Sequence, residues 1–335
     1  MTLPTTNENY LKLVQSIGET IEEARNRAVK AVNIEHLRAN WEIGKFIVEF
    51  EQRGNEKADY GSSLLENLAK DLRIRFGKGF SKSNVYLMRL FYIKFPIFQT
   101  LSGKLAWSHY AELLGISDDT SREFYIKQCE KENWSIRELK RQISTSLFER
   151  IALSKDKKGV LQLAKQGLII SEPKDIVKDP YVLEFLKISE EIRMTESNLE
   201  QKIIDNLQVF LLELGKGFSF VGRQYRITLD NEHYYVDLVF YHRILKCFVL
   251  IDLKTRHVKH YDIGQMNLYL NYFKTEENTE GDNPPIGIVL GADKNDILVE
   301  YAIGGISNNI FVSKYQLYLP DKKQLEEKVK ELINE

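Results

Sequence analysis

The chain has 335 residues, a formal net charge of −1 and 28% charged residues, so two domains, each with its own core, are the expected organisation. This balance excludes neither nucleic acid nor protein partners, but any basic surface must be local and offset by acid elsewhere. Two cysteines, Cys129 and Cys247, without CxxC spacing indicate neither a disulfide framework nor a zinc ribbon. No run approaches the roughly 18 apolar residues of a membrane span and the first residues lack an apolar leader core, so a soluble cytoplasmic protein without a membrane partner is expected.

Helical periodicity dominates from Tyr10 to Leu153, with apolar spacings of three and four through Leu11–Val32, Leu37–Phe50 and Leu64–Phe76. The stretch from Asp71 to Lys94 carries six basic residues against one acid, and its two helical runs are parted by Gly77-Lys-Gly79 and a Ser81 cap. That pattern suits a helix-turn-helix or winged-helix-like unit offering Lys82, Asn84 and Arg89 to DNA, or else a solvated helical hairpin. Further helices are expected at Trp107–Leu114, Ser121–Lys131 and Ser135–Phe148, the last opened by the capping-box spacing Ser135 to Glu138. Residues 1–153 are thus read as a helical, DNA-binding domain, 154–180 as a linker or irregular arm, and 181–335 as a second domain.

In that second domain the spacing predicts a helix over Asn198–Leu214 and strands at Phe218–Leu229, Tyr234–Tyr241 and Lys246–Lys254. A helix from Asp262 to about Phe273 follows, then a buried strand Ile286–Leu290, a short helix near Asn295–Tyr301, a strand Ile310–Leu319 and a charged closing helix. Helices layered on a sheet make this an α/β arrangement and the whole chain α+β.

Two apolar strands hold charges that a buried sheet disfavours: Asp237 in VDLVF, and Asp252 and Lys254 in CFVLIDLKT. If the strands form a hairpin turning at Arg243–Lys246, residues whose numbers add to 489 oppose one another, which sets Asp237 against Asp252. Opposed side chains lie about 4.5–5.5 Å apart at Cβ, where two carboxylates raise each other's pKa and a divalent cation relieves the repulsion. Lys254 shares their face by strand period. A structural salt bridge is the competing account.

Flanking residues carry two readings each. Glu200 is the fourth residue of a capping-box spacing from Ser197, or a third carboxylate for the cation; Gln265 is the corresponding residue after Asp262, or a group flanking the site with Tyr269. Arg223 and Arg226 on the first strand, and Arg256 and Lys259 in TRHVKHYD, are candidates for nucleic-acid contact, against plain solvation. His257 and His260 lack a further soft ligand for zinc.

Long blocks resemble the YhcG-type bacterial proteins, which join a helical N-terminal domain to a PD-(D/E)XK nuclease domain. They are NWEIGKFIVE, the FGKGFS stretch and LAWSHYAELL in the first half, and LEQKIIDNLQVFLLELGKGFSFVGRQYRI, YYVDLVFYHR, CFVLIDLKT, GQMNLYLNYF, NPPIGIVL and SKYQLYLP in the second. The resemblance implies a restriction-endonuclease-like C-terminal domain with a mixed central sheet. It places the metal-binding acids on Asp237 and Asp252, the helix-borne acid on Glu200, the lysine on Lys254 and a polar position on Gln265. Val236 stands where the motif's name has proline. The resemblance further implies a metal-dependent deoxyribonuclease using Mg²⁺, with Mn²⁺ as the substitute, held also by the Leu253 carbonyl, with Lys254 orienting or deprotonating the attacking water. A symmetric homodimer would let such an enzyme cut both strands. The rival readings are a non-catalytic nucleic-acid or partner-binding protein on the same scaffold, and an enzyme specific for branched DNA.

Overall fold

Glycine and helix-breaking residues are rare between Glu8 and Gln52, and in the computed structural model this stretch is one helix, α1 (Glu8–Gln52), rather than the two runs that its apolar spacing suggests. The structure describes residues 8–52, 58–188, 195–294 and 309–334; the short helix expected near Asn295–Tyr301 lies outside them. By contact the chain divides into two units, Met1–Leu139 and Lys140–Glu335.

In the first unit α1 is followed by α2 (Ala58–Phe76), α3 (Lys82–Lys94), α4 (Trp107–Leu113) and α5 (Asp119–Glu132). Gly77, at φ +94°, turns the chain after α2, and the Ser81 hydroxyl accepts from Asn84 N at 3.2 Å to start α3. Val85, Met88 and Phe91 form the buried face of α3. A side chain at Gly44 would place Cβ 2.0 Å from the Met88 carbonyl, so glycine is what lets α1 lie against α3.

The second unit holds α6 (Ile136–Ser144), which straddles the division, then α7 (Leu147–Ala152), α8 (Lys157–Gln166), α9 (Glu196–Asp205), α10 (Leu207–Leu214), α11 (His260–Tyr272) and α12 (Lys322–Asn334). The expected Ser135 capping box is present: Ser135 N donates to Glu138 Oε2 at 2.7 Å and Glu138 N to Ser135 Oγ at 3.2 Å. Residues 154–180, expected to be a linker or irregular arm, contain α8, capped by Asp156, whose Val160, Leu163 and Ala164 are buried.

Six strands form one sheet in the order β1-β6-β5-β4-β3-β2: β1 (Tyr181–Val182), β2 (Phe218–Leu229), β3 (Glu232–His242), β4 (Cys247–His257), β5 (Ile286–Asp293) and β6 (Ile310–Gln316). The β2–β3–β4 meander is antiparallel, and β4, β5, β6 and β1 run parallel. The meander follows from two tight turns. Asp230 and Asn231, both at positive φ, close β2–β3 as a two-residue loop, and residues 243–246 close β3–β4.

Strand alternation divides the core. Leu238, Phe240, Val249, Ile251 and Leu253 pack with Leu199, Ile203, Phe210 and Leu214 of α9 and α10 on one face. Val239, Leu250 and Val289 pack with Ile263, Met266 and Phe273 of α11 on the other. Asp252 and Lys254 alternate with Ile251 and Leu253, so the period alone directs them to the Leu250 side.

Candidate active site

The β3–β4 ladder runs from His242↔Cys247 to Leu238↔Ile251, every pair adding to 489 as the hairpin requires. At the next position the ladder stops, and a side chain takes over: Asp237 Oδ2 accepts from Leu253 N at 2.7 Å. Val236 and Leu238 are buried in opposite cores, so β3 turns over at Asp237. The aspartate thereby sits at a bend, beside the stretch of β4 that bears Asp252 and Lys254.

Asp252 and Lys254 are 2% and 6% exposed, and Lys254 Nζ lies 2.7 Å from Asp252 Oδ2. The contact is an ion pair off the line of a good hydrogen bond, and Oδ2 has no other donor. Glu196 Oε2 stands 3.7 Å from the same ammonium. Burial pushes the Asp252 carboxyl up to about 7; Lys254 opposes that shift and Asp237 adds to it. Burial raises Asp237 as well, against the Leu253 N–H and Lys254. For Lys254, burial works against its charge, yet Asp252 and then Glu196 and Asp237 outweigh it and its pKa is raised.

Glu200 is buried on α9, and burial raises its pKa too, with Gln224 opposing. The capping account of Glu200 is corrected: α9 starts two residues earlier than Ser197 implies, with Thr195 Oγ1 accepting from Asn198 N at 3.2 Å. Glu200 instead accepts at Oε2 from Gln224 Nε2 at 2.5 Å, and the same nitrogen donates to Asp237 Oδ1 at 3.0 Å. One amide thus joins the helix acid to the strand acid. Among the described residues, no three His, Cys, Asp or Glu side chains gather into a ready-made metal cage. The structure brings Asp237, Asp252 and Lys254 together and holds Glu200 one amide away.

Gln265 undergoes a similar correction. α11 begins at His260 with Asp262, not Gln265, closing the cap: Asp262 Oδ2 accepts from Lys259 N at 2.8 Å. Gln265 donates to the Tyr269 hydroxyl, which donates to the Tyr235 carbonyl at 3.0 Å, two residues before Asp237. The pair therefore ties α11 to the bend in β3.

The residues expected to touch nucleic acid are differently placed. Asn84 is occupied at both ends of its amide, donating to the Gly79 carbonyl and accepting from Trp107 Nε1 at 2.9 Å. Arg89 is half-buried and donates to both oxygens of Glu51, at 2.9 and 2.8 Å, while the exposed Lys82 pairs with Glu66 at 3.0 Å. Arg256 forms a fork onto buried Asp262, both bonds 2.8 Å, which holds that carboxyl low against its burial. Arg223 is exposed and donates to Gln201 at 2.7 Å; Arg226 is exposed further along β2; Lys259 lies 5.7 Å from the Tyr261 ring centroid.

Two groups of the site escape sequence reasoning in these roles, Gln224 and Glu196. The signal for Gln224 is the two-residue turn: pairs Arg223↔Leu238 and Tyr225↔Val236 leave Gln224 opposite Asp237. Glu196 has no sequence signal apart from lying one helical turn before Glu200.

Chemically, the centre is a buried carboxyl, Asp252, beside a half-buried one, Asp237, both with raised pKa values, and one oxygen of Asp252 lacks a well-aligned donor. An all-oxygen set of this kind fits a hard divalent cation, which would relieve the repulsion that burial intensifies.

Residues 174–330 match the YhcG PDDEXK nuclease domain and residues 16–150 the DUF1016 N-terminal domain. The protein described as "Putative nuclease YhcG" from Escherichia coli (strain K12) is 39% identical over 352 aligned residues, which cover 96% of this chain and 93% of that one. Among solved structures, "crystal structure of a repair endonuclease from Pyrococcus abyssi" is 20% identical with a TM-score of 0.28, over 39% of this chain and 50% of that chain. "Structure of EndoMS-dsDNA2 complex" is 18% identical with a TM-score of 0.27, over 40% and 50%. Each spans half of the chain it matches, and TM-scores this low decide nothing about this one. The mixed sheet with helices on both faces is the restriction-endonuclease-like fold of a PDDEXK domain. With both domain matches in sequence order and 39% identity across nearly its whole length, the chain belongs to the YhcG family of nuclease-like proteins.

Proposed function

We propose that the C-terminal domain hydrolyses DNA phosphodiester bonds with Mg²⁺, Mn²⁺ substituting, and that the helical N-terminal domain contributes recognition of nucleic acid or a partner. The convergence of Asp237, Asp252 and Lys254 carries this reading, because a buried acid and ammonium with a second, half-buried acid beside them are costly as mere architecture. Asp237, Asp252, the Leu253 carbonyl and Glu200 are the oxygens that would hold the ion, which supplies Lewis acidity toward water and phosphate. Lys254 has three donors and no acceptor, so its ion pair with Asp252 leaves donors for a phosphate oxygen where charge develops. Its burial keeps water away and strengthens that attraction. Gln224 holds Glu200 and Asp237 at a fixed spacing, and Gln265 with Tyr269 steadies the strand that carries Asp237. Arg223 and Arg226, exposed on either side of Gln224 along β2, and Lys259 suit backbone phosphates, whereas Arg256 is committed to Asp262. In the helical domain the exposed Lys82 suits phosphate, while Asn84 and Arg89 are engaged within the fold.

The test is cleavage of supercoiled, linear and single-stranded DNA, and of RNA, with Mg²⁺ or Mn²⁺. Wild type cleaves DNA, and Asp252→Ala and Lys254→Ala each lose at least about 10²–10³-fold in rate while still unfolding cooperatively. Equal rates in wild type and variants, or binding without cleavage of any substrate, overturn the catalytic reading. Cleavage of RNA alone overturns the choice of DNA, and a strong preference for branched over linear duplex narrows the substrate to junctions.

A further inference from the structure

At 45 residues α1 is far longer than the mean helix of about 11–12 residues. Only its second half is packed: Leu37, Ile47 and Val48 are buried, while every residue from Tyr10 to Val32 is exposed. That outer half is not polar. Eight large apolar side chains on it are between 46 and 60% exposed. Exposed apolar side chains gathered in this number on one element mark an interaction surface rather than a solvated one.

One set of positions steps by four and three without a break through Tyr10, Val14, Ile17, Ile21, Ala24, Ala28 and Ala31, three heptads in all. Size runs one way along this stripe, with large side chains at the first four positions and alanine at the last three. We propose that it pairs with the same stripe of a second copy of the chain, as an antiparallel helix pair about a two-fold axis at Ile21. Residues whose numbers add to 41 or 42 then meet: Tyr10 with Ala31, Val14 with Ala28, Ile17 with Ala24. Every layer away from the axis joins one large to one small side chain, so the seam keeps an even volume. A two-fold interface is also self-complementary, as a stripe facing itself must be. A parallel pair would instead stack alanine on alanine at one end and Tyr10 on Tyr10 at the other, forcing uneven helix spacing. The polar side argues against a lipid surface, because Glu19, Glu22 and Glu23 are mixed with Arg25, Arg27 and Lys30, where membrane-lying helices carry a basic face.

Light scattering on the full-length chain, eluted from a sizing column over roughly 1–100 µM, is the first measurement. The expected result is a dimer that Ile17→Glu with Ile21→Glu halves in mass without loss of the cooperative unfolding transition, since both side chains are exposed. A wild type that is monomeric throughout, or a variant that stays dimeric, overturns the proposal. Direction is tested by oxidation of Val14→Cys and Ala28→Cys chains, the native cysteines being buried. An antiparallel seam cross-links the two variants when mixed and neither alone. Cross-linking of each variant by itself, or none in the mixture, overturns the arrangement. Capture of monomeric wild type, but not of the double variant, by anionic phospholipid vesicles would assign the stripe to a membrane surface instead.

Discussion

Gln224 has a φ of +46°, uncommon for a non-glycine strand residue, and its amide nitrogen donates to Glu200 and Asp237 at once. Without that amide the two carboxylates face each other through solvent, free to separate or to share a proton. Gln224→Ala should therefore lower cleavage by about 10–100-fold, the usual effect of losing a group that orients metal-binding side chains. Because the side chain is exposed, the melting temperature should move by no more than about 2 °C; full activity in the variant would show that the amide does not organise the site. Asp237, Asp252 and Lys254 are legible in the sequence because charge inside an apolar strand stands out. Gln224 is not, since a polar residue on an exposed strand looks ordinary, and starting the second strand at Tyr234 instead of Glu232 leaves its partner unassigned.

Among the elements, the meander was the most legible, because apolar runs bounded by turns fix both strands and register, whereas helix starts were less so. Thr195, Ser197 and Asn198 all have cap chemistry, and only the packed position of Leu199 and Ile203 decides that Thr195 is used. β1, two residues long, has no periodicity to detect and exists through its parallel pairing with β6. The join between elements also depends on a buried imidazole. His242 Nδ1 accepts from Leu245 N at 3.1 Å, which leaves Nε2 to carry the proton toward the Lys216 carbonyl, 3.0 Å away. Burial lowers its pKa below the ordinary 6.5, the Lys216 carbonyl partly opposing. The folded protein therefore binds this proton later than the unfolded chain as pH falls, so the stability is full above about 6.5 and is lost below it. Urea unfolding between about pH 7 and pH 5 should show a shallower loss in His242→Gln than in wild type, by at most about 1.4 kcal/mol per pH unit for one proton. Parallel pH curves for the two proteins would refute this assignment.

For the molecule as a whole, the decisive question is where the nuclease domain begins. The family match starts at residue 174, and a stretch that mixes lysines with Gly167, Ser171 and Pro173 suggests a linker up to residue 180, yet the ion network runs further back. Glu213 on α10 is fully buried; its Oε1 accepts from Arg150 Nη1 and from Val182 N, each at 2.9 Å, and Arg141 Nη2 lies 3.4 Å from Oε2. Lys178 donates to the Glu213 carbonyl, and burial pulls its pKa down to about 8. Burial alone would raise the Glu213 carboxyl, but Arg150, Lys178 and the Val182 N–H outweigh it and its pKa is lowered. Such a group exists as an anion only while its cations are present, and α12 also packs against α7 and α8. We propose that the folding unit of the nuclease domain begins at about residue 140. A fragment of residues 140–335 should unfold in one cooperative transition. A fragment of residues 181–335, lacking Arg141, Arg150 and Lys178, leaves a buried carboxylate without its cations and should not. In the full-length chain Arg150→Ala should cost about 3–5 kcal/mol, the effect of removing one partner of a buried pair, measured by urea unfolding followed through the sheet. If the shorter fragment is as stable as the longer one, helices α6 to α8 are an appendage and not part of the domain's fold.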